Sequence, residues 1–119
     1  MRRPDGALED DIMRALWDGE EALLPAEILE RTGLDLAYTS VATVLTRLLE
    51  KGLVSREADG RAYRYRAALR EGELAAQRIA VILSHTNDRR GALAGFVNGL
   101  GKRDAATLRA LLDGERRKS

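Results

Sequence analysis

Apolar residues recur at helical spacing near the start of the chain and define its first element. Between Ala7 and Asp18 they fall three and four positions apart, and charged residues fill the other positions. This spacing predicts an amphipathic helix, with Asp5 as its N-cap and Gly19 as its end. The short apolar segment at residues 22–24 predicts a minimal strand.

Two further helices follow in the pattern. Proline at position 25 suits the first turn of a helix, where the backbone N–H groups have no internal partner, and Gly33 supplies the stop. A third helix is predicted over residues 37–51, and Gly52 ends it.

A hairpin is predicted directly after the third helix. Residues 53–57 and 61–66 are strand-like, and the turn Ala58-Asp59-Gly60 lies between them. Tyr63 and Tyr65 alternate with other residues along the second strand, so we expect both rings in the core.

The order helix, short strand, helix, helix, hairpin is that of a winged helix-turn-helix. We therefore predict a mainly α protein with a small β-wing, in which residues 1–68 form a winged helix-turn-helix DNA-binding domain. Three helical segments follow and form a helical dimerisation region over residues 69–119, with a frayed charged tail from residue 114.

The apolar stripes of the C-terminal helices predict a homodimer, because these helices are too few to enclose a core of their own. Burial of their apolar surface against a second copy would offset the cost of ordering them. The alternative is that this region folds back on its own winged-helix domain. The expected dimer interface comprises Ile79, Ile82, Leu83, Phe96, Val97, Leu100 and Leu108.

The composition excludes several kinds of site. The chain has no cysteine and one histidine, so we expect no disulfide, no metal, no cofactor and no catalytic triad, and the protein is not predicted to be an enzyme. No apolar run approaches the ~20 residues that span a bilayer, and a cytoplasmic protein is expected. Residues 1–51 carry 6 basic and 11 acidic side chains, a balance of −5, whereas residues 52–119 carry 14 and 8, a balance of +6.

The third helix has one apolar face and one face rich in hydroxyl groups. Val41, Val44, Leu45 and Leu48 fall on the first face, and no acidic residue occurs between Asp35 and Glu50. Short hydroxyl side chains let a helix approach the bases in the major groove, hydrogen-bond to base edges and pack a methyl group on thymine. The residues expected to contact DNA are Tyr38, Thr39, Ser40, Thr43, Thr46, Arg47 and, on the wing, Arg61.

The hairpin carries a run of arginines that suits a second DNA contact. Arg61 stands beside the predicted turn, and Arg56, Arg64 and Arg66 can point outward from the strands. Guanidinium groups in such positions fit phosphate contacts, or insertion of Arg61 into the minor groove. The alternative is a hairpin that only closes the core.

Several segments together resemble one known family. They are LAYTSVATVLTRL at residues 36–48, KGLV at residues 51–54, GRAYRY at residues 60–65, and the apolar pattern of the first helix. In these segments the chain resembles the penicillinase and methicillin-resistance repressors. The resemblance implies a dimeric repressor that binds a palindromic operator and controls antibiotic-resistance genes, with Thr39, Ser40 and Thr43 facing the groove and Thr46 and Arg47 flanking it.

The resemblance also names a possible partner and a departure from the family pattern. In the best-known members a sensor-triggered protease cuts between an asparagine and the phenylalanine that corresponds to Phe96. Gly95 occupies the asparagine position here, which argues against a membrane sensor-protease as a partner. The cysteine pairs of the related copper-responsive repressors are absent from this sequence.

Two other functions are compatible with a winged helix. One is a module that binds protein and not DNA, which the low net charge of +1 permits. The other is a winged-helix regulator that senses a small ligand directly. The hydroxyl face and the arginines of the hairpin favour the DNA-binding repressor over the first of these.

Overall fold

A computed structural model describes residues 6–118, and the side chains of residues 6–115. The elements in this part of the chain are α1 (Ala7–Asp18), α2 (Pro25–Thr32), α3 (Tyr38–Glu50), β1 (Val54–Asp59), β2 (Ala62–Ala67), α4 (Glu71–His85), α5 (Arg89–Asn98) and α6 (Lys102–Lys118). Three helices followed by a two-stranded antiparallel wing form a winged helix-turn-helix. The predicted fold class, mainly α with a small β-wing, is confirmed.

The first helices begin and end close to the predicted residues. α1 spans the predicted range and begins after Gly6, whose φ is 90°, while Asp5 lies outside the described residues. At the start of α2, the Glu27 carboxylate accepts the backbone N–H of Leu24 at 2.9 Å. Gly33 ends this helix with a φ of 67°, a left-handed conformation that glycine adopts without steric cost.

α3 is one residue shorter at each end than predicted, because Ala37 and Lys51 occupy its cap positions. Its apolar face closes the core of the winged helix. The side chains with no exposed surface there are Ile12, Met13, Ile28, Val41, Leu45 and Leu48. This aliphatic core fixes which face of α3 remains in solvent.

The hairpin turn lies one position later than predicted. β1 and β2 pair antiparallel as far as Asp59 opposite Ala62, so Asp59 belongs to β1 and the loop consists of Gly60 and Arg61. Gly60 has a φ of 64°, and a positive φ at the first of two loop residues is the pattern of a type II′ turn. Arg61 therefore sits in the turn itself and not in a strand.

Only one of the two wing tyrosines belongs to the core. Tyr65 is 7% exposed, and its backbone N–H and C=O both pair with Leu23 at 2.8 Å, which reduces the predicted minimal strand to one bridge. Tyr63 is 43% exposed, and its placement in the core was wrong. Both rings lie on one face of β2, but the core ends beneath Tyr65. Tyr63 lies nearer the turn, where the Arg56 guanidinium carbon is 4.0 Å from its ring centroid.

The chain divides into two compact units between Gln77 and Arg78, inside α4. The first half of α4 belongs with the winged helix, since Leu74 is buried in its core. The boundary predicted at residue 68 separates a DNA-binding function from a dimerisation function, and this assignment of functions stays a prediction. In the second unit α6 continues to Lys118, so the charged tail that was expected to fray is helical from residue 114 to residue 118 in this structure. Leu100 follows the end of α5 and is therefore not part of the apolar stripe along that helix.

Candidate nucleic-acid interface

The solvent face of α3 carries most of the residues predicted to contact DNA. Thr39, Thr43, Thr46 and Arg47 are exposed, Tyr38 is 52% exposed, and Ser40 is half-buried. The predicted separation of the helix into a buried and an exposed face is confirmed. Contact of these side chains with DNA stays a prediction.

Two of the threonine hydroxyls on this face already donate their protons to the helix. Thr43 Oγ1 donates to the carbonyl of Thr39 at 2.8 Å, and Thr46 Oγ1 donates to the carbonyl of Ala42 at 3.1 Å. Each hydroxyl keeps its oxygen lone pairs as acceptors, and each side chain keeps its methyl group. In this conformation the two threonines offer a DNA base an acceptor and an apolar contact, but not a donor.

The start of α3 is electrostatically suited to an anion. No side chain caps the helix at Ala37, and its first turn contains no acidic residue. The partial positive charge of the helix N-terminus is therefore not neutralised locally. A phosphate group is a suitable partner for such a helix end when side chains of α3 supply further contacts.

The arginines near α3 and on the wing differ in whether they are free to bind phosphate. Arg47 and Arg61 are exposed and have no ion-pair partner within residues 6–118. Arg64 is paired with Asp59 at 2.7 Å and with Glu27 at 3.0 Å. Arg66 lies 3.6 Å from Glu57, and Arg56 stacks on Tyr63. On the wing, Arg64 and Arg66 are thus ion-paired and Arg56 keeps its charge but lies on a ring, while Arg61 at the turn has neither kind of partner among the described residues.

One ion pair at the end of α3 has no counterpart in the sequence-based predictions. Lys51 Nζ contacts both carboxylate oxygens of Glu9, at 2.9 and 3.1 Å, and so ties the end of α3 to α1. The two residues are 42 positions apart, and no local pattern indicates the pair. Lys51 therefore has a carboxylate partner, unlike Arg47 one turn earlier on α3, which has none among the described residues.

The residues predicted for the dimer interface are all at least partly in solvent. Ile79, Ile82, Phe96 and Val97 are exposed, at 50%, 68%, 55% and 49%. Leu83, Leu100 and Leu108 are half-buried, and none of the described side chains from Arg78 to Glu115 is buried. Sequence reasoning left out four further exposed apolar residues of this region, Val81, Leu93, Leu111 and Leu112.

The described residues contain neither a cluster of metal-ligating side chains nor a membrane-spanning helix. No group of three or more His, Cys, Asp or Glu side chains there could hold a metal ion. No helix among them is both long and apolar enough to cross a membrane.

Comparisons with known proteins point to one family. The family model described as Penicillinase repressor matches residues 6–114. Two relatives, each described as Transcriptional regulator BlaI, come from the CDC 1551 / Oshkosh and ATCC 25618 / H37Rv strains of Mycobacterium tuberculosis. Each is 38% identical over 112 residues, which is 90% of this chain and 81% of the relative.

The chain is also similar to a solved structure, the PcaV transcriptional regulator from Streptomyces coelicolor in complex with its natural ligand. It is 24% identical, with a TM-score of 0.49, and the match covers 93% of this chain and 74% of that one.

Proposed function

The chain belongs to the penicillinase repressor family and is therefore a DNA-binding transcriptional repressor and not an enzyme; we propose that it binds a palindromic operator as a homodimer, with α3 of each copy in the major groove. Its targets in this proposal are genes of the β-lactam-resistance type, and it acts in the cytoplasm. Membership of a repressor family decides against the protein-binding module considered above.

The observation that carries the proposal is the composition of the exposed face of α3. Thr39, Thr43 and Thr46 are short, uncharged side chains in a chain of which 33% is charged. An ordinary solvent face would carry pairs of Lys and Glu. A face of this kind lets the helix axis come close to the base edges, where Thr methyl groups and hydroxyl oxygens distinguish one base pair from another.

The flanking cations supply the contacts that position the helix. Arg47, in the last turn of α3, and Arg61, in the wing turn, are assigned to phosphates or to the edge of the minor groove. Tyr38 and Ser40, at the start of α3, are assigned to the groove wall and a base edge. Such contacts supply affinity and register, while base contacts supply specificity.

The homodimer follows from the apolar surface of the second unit. Ile82, Phe96 and other apolar side chains of this unit are exposed, and none of its described side chains is buried. Removing apolar surface from water is worth about 25 cal/mol per Å². A contact with a second copy would remove this stripe from water. Two-fold symmetry then places two copies of α3 on half-sites separated by one helical turn, ~34–36 Å, or a multiple of it.

Release from DNA by cutting before Phe96 does not fit this chain. Gly95 replaces the asparagine of the best-known family members, and the Gly95–Phe96 bond lies inside α5. Proteolytic cuts occur preferentially at exposed loop tips and not within helices. We therefore assign Phe96 to the dimer interface and not to a cleavage site.

The test begins with selection of bound genomic fragments by the purified protein, which yields the operator. The ratio of operator affinity to random-DNA affinity is then measured for Thr43→Ala, Thr43→Ser and Thr43→Val. Thr43→Ala should lower this ratio by about tenfold or more, since the homodimer loses two contacts, each weaker than a bidentate base contact of about 1–3 kcal/mol. If the methyl group makes the contact, valine should retain the preference and serine should lose it.

Thr107 provides a matched control for these variants. It lies on α6, and its Oγ1 donates to the carbonyl of Arg103 at 3.1 Å, the same bond to the preceding turn that Thr43 makes. Thr107→Ala should leave the ratio unchanged. If Thr43→Ala also leaves it unchanged, α3 does not read the operator through this face.

A further inference from the structure

Arg64 is the centre of a polar network that connects the wing to the helix-turn-helix. Its Nε donates to Asp59 Oδ2 at 2.7 Å, and its Nη1 donates to Glu27 Oε1 at 3.0 Å and to the carbonyl of Ala22 at 3.4 Å. Glu27 Oε1 also accepts the backbone N–H of Leu24. The network therefore runs from the last residue of β1 to the first turn of α2.

Among the described residues, the outer part of the wing has no other anchor of comparable extent. Residues 55–63 are all exposed, and the core ends at Tyr65 and Val54 at the base of the hairpin. A two-stranded hairpin without a hydrophobic face is at best marginally stable in water. Packing thus fixes the base of the wing, while the outer part depends on polar contacts for its position.

Charge separates Arg64 from the free arginines. Two carboxylates face its guanidinium, and the hydrogen bond that Arg64 donates to Asp59 raises the pKa of Arg64 above its ordinary value. Together these three side chains carry one net negative charge. A group so neutralised is a poor ligand for a phosphate, whereas Arg61, two residues after Asp59, is free to bind one.

We propose that Arg64 is a positioning residue, which holds the wing turn in place through Asp59 and Glu27 so that Arg61 meets the DNA backbone in one register. This inference rests on the proposed function, in which Arg61 contacts DNA. Arg64 itself does not touch the DNA. The rival role, a direct phosphate contact by Arg64, predicts different results for three substitutions.

Asp59→Asn is the most discriminating of them. Loss of a carboxylate near DNA should tighten binding if Arg64 contacts phosphate, since it frees the guanidinium and removes a repulsive charge. If the network positions the wing, Asp59→Asn should weaken binding to the selected operator by about threefold or more. Glu57→Gln is the matched control, because Glu57 lies on β1 outside the network, and it should not weaken binding.

Arg64→Lys and a double-mutant cycle complete the test. Lysine keeps the positive charge but lacks the planar fork that bridges two carboxylates, so positioning should be lost while a simple phosphate contact would be retained. Arg64→Gln should weaken operator binding alone but have little further effect when combined with Arg61→Ala. Thermal unfolding of each full-length variant, followed by circular dichroism, shows whether the variant is folded. If Arg64→Gln does not fold, Arg64→Lys distinguishes the positioning role from a direct phosphate contact.

Either of two results would overturn the inference: unchanged or tighter binding by Asp59→Asn, or full additivity of Arg64→Gln with Arg61→Ala. The proposed function fails in a different way. If Arg61→Ala and Thr43→Ala both bind the operator like the parent, the assigned interface itself is wrong. If Arg61→Ala weakens binding and Asp59→Asn does not, only the positioning role of Arg64 is lost.

Discussion

Replacing Arg61 with alanine removes an exposed guanidinium that no carboxylate neutralises within residues 6–118. A phosphate contact by such a cation releases condensed counterions, and contributes about 0.9 to the slope of log K against log salt concentration. A homodimer carries two wing turns, so the variant should flatten this slope by about 1.8. If variant and parent bind equally at about 1 M salt, this difference in slope corresponds to a loss of affinity of about thirtyfold at about 0.15 M salt.

The assay is a fluorescence anisotropy titration of labelled duplexes at a series of salt concentrations. Operator and random duplexes should lose affinity to a similar extent, because phosphates are common to all sequences. Arg109→Ala removes the same charge from the exposed surface of α6 and should keep the parent slope. An unchanged slope for Arg61→Ala, or a loss confined to the operator, would refute the assignment of Arg61 to the DNA backbone.

Three other substitutions have outcomes that follow from burial and charge. Leu48 has no exposed surface, so Leu48→Ala should lower the free energy of unfolding by about 2–5 kcal/mol. The loss is measured as a lower urea midpoint at constant m-value, and a loss under about 1 kcal/mol would contradict the packing behind α3. Glu9→Gln breaks an ion pair whose lysine is 54% exposed and whose carboxylate is 17% exposed. It should change that free energy by no more than about 1 kcal/mol in the same assay, because water reaches the lysine; a larger change would mean that the half-buried carboxylate sets the strength of the pair. Phe96→Ser should weaken self-association, measured by sedimentation equilibrium, by about tenfold or more, whereas Thr107→Ala should leave it unchanged. A Phe96→Ser protein that dimerises like the parent would show that Phe96 does not lie in the interface.

The helices and the two faces of α3 could be predicted because local physics determines them. Apolar spacing along α3 fixes which side chains the core covers, and Gly33 and Gly52 adopt the positive φ values that end helices. These signals lie within a few residues of the structure that they specify. The alternation of apolar and polar residues therefore located the candidate reading face to within one residue at each end.

The wing could be predicted only in outline, because its details depend on how far the core extends. Tyr63 and Tyr65 have the same position in the alternation, yet one is exposed and the other buried. The difference arises from the distance between Tyr63 and the helices beneath the hairpin. The Asp59-Gly60 pair indicated a turn, but the register of the strands, and not the dipeptide, placed Arg61 in the loop.

The pairing of charges lay beyond the sequence altogether. Arg64 and Glu27 are 37 positions apart, and their contact requires the folded arrangement of β2 and α2. A run of arginines in a sequence therefore overstates the cations available to DNA. Among the described residues, two wing arginines have no carboxylate partner: Arg56, which lies on the Tyr63 ring, and Arg61, which is in the turn.

From Arg78 to Glu115, every described side chain keeps some of its surface in water. In a homodimer this half of the chain would gain its enclosed surface only when two copies meet, so its order would depend on how many copies a cell contains. Far below the dissociation constant, the number of pairs falls with the square of chain concentration, and halving synthesis leaves about a quarter of them. The promoter would then respond more than proportionally to small changes in the rate at which the repressor is made or degraded.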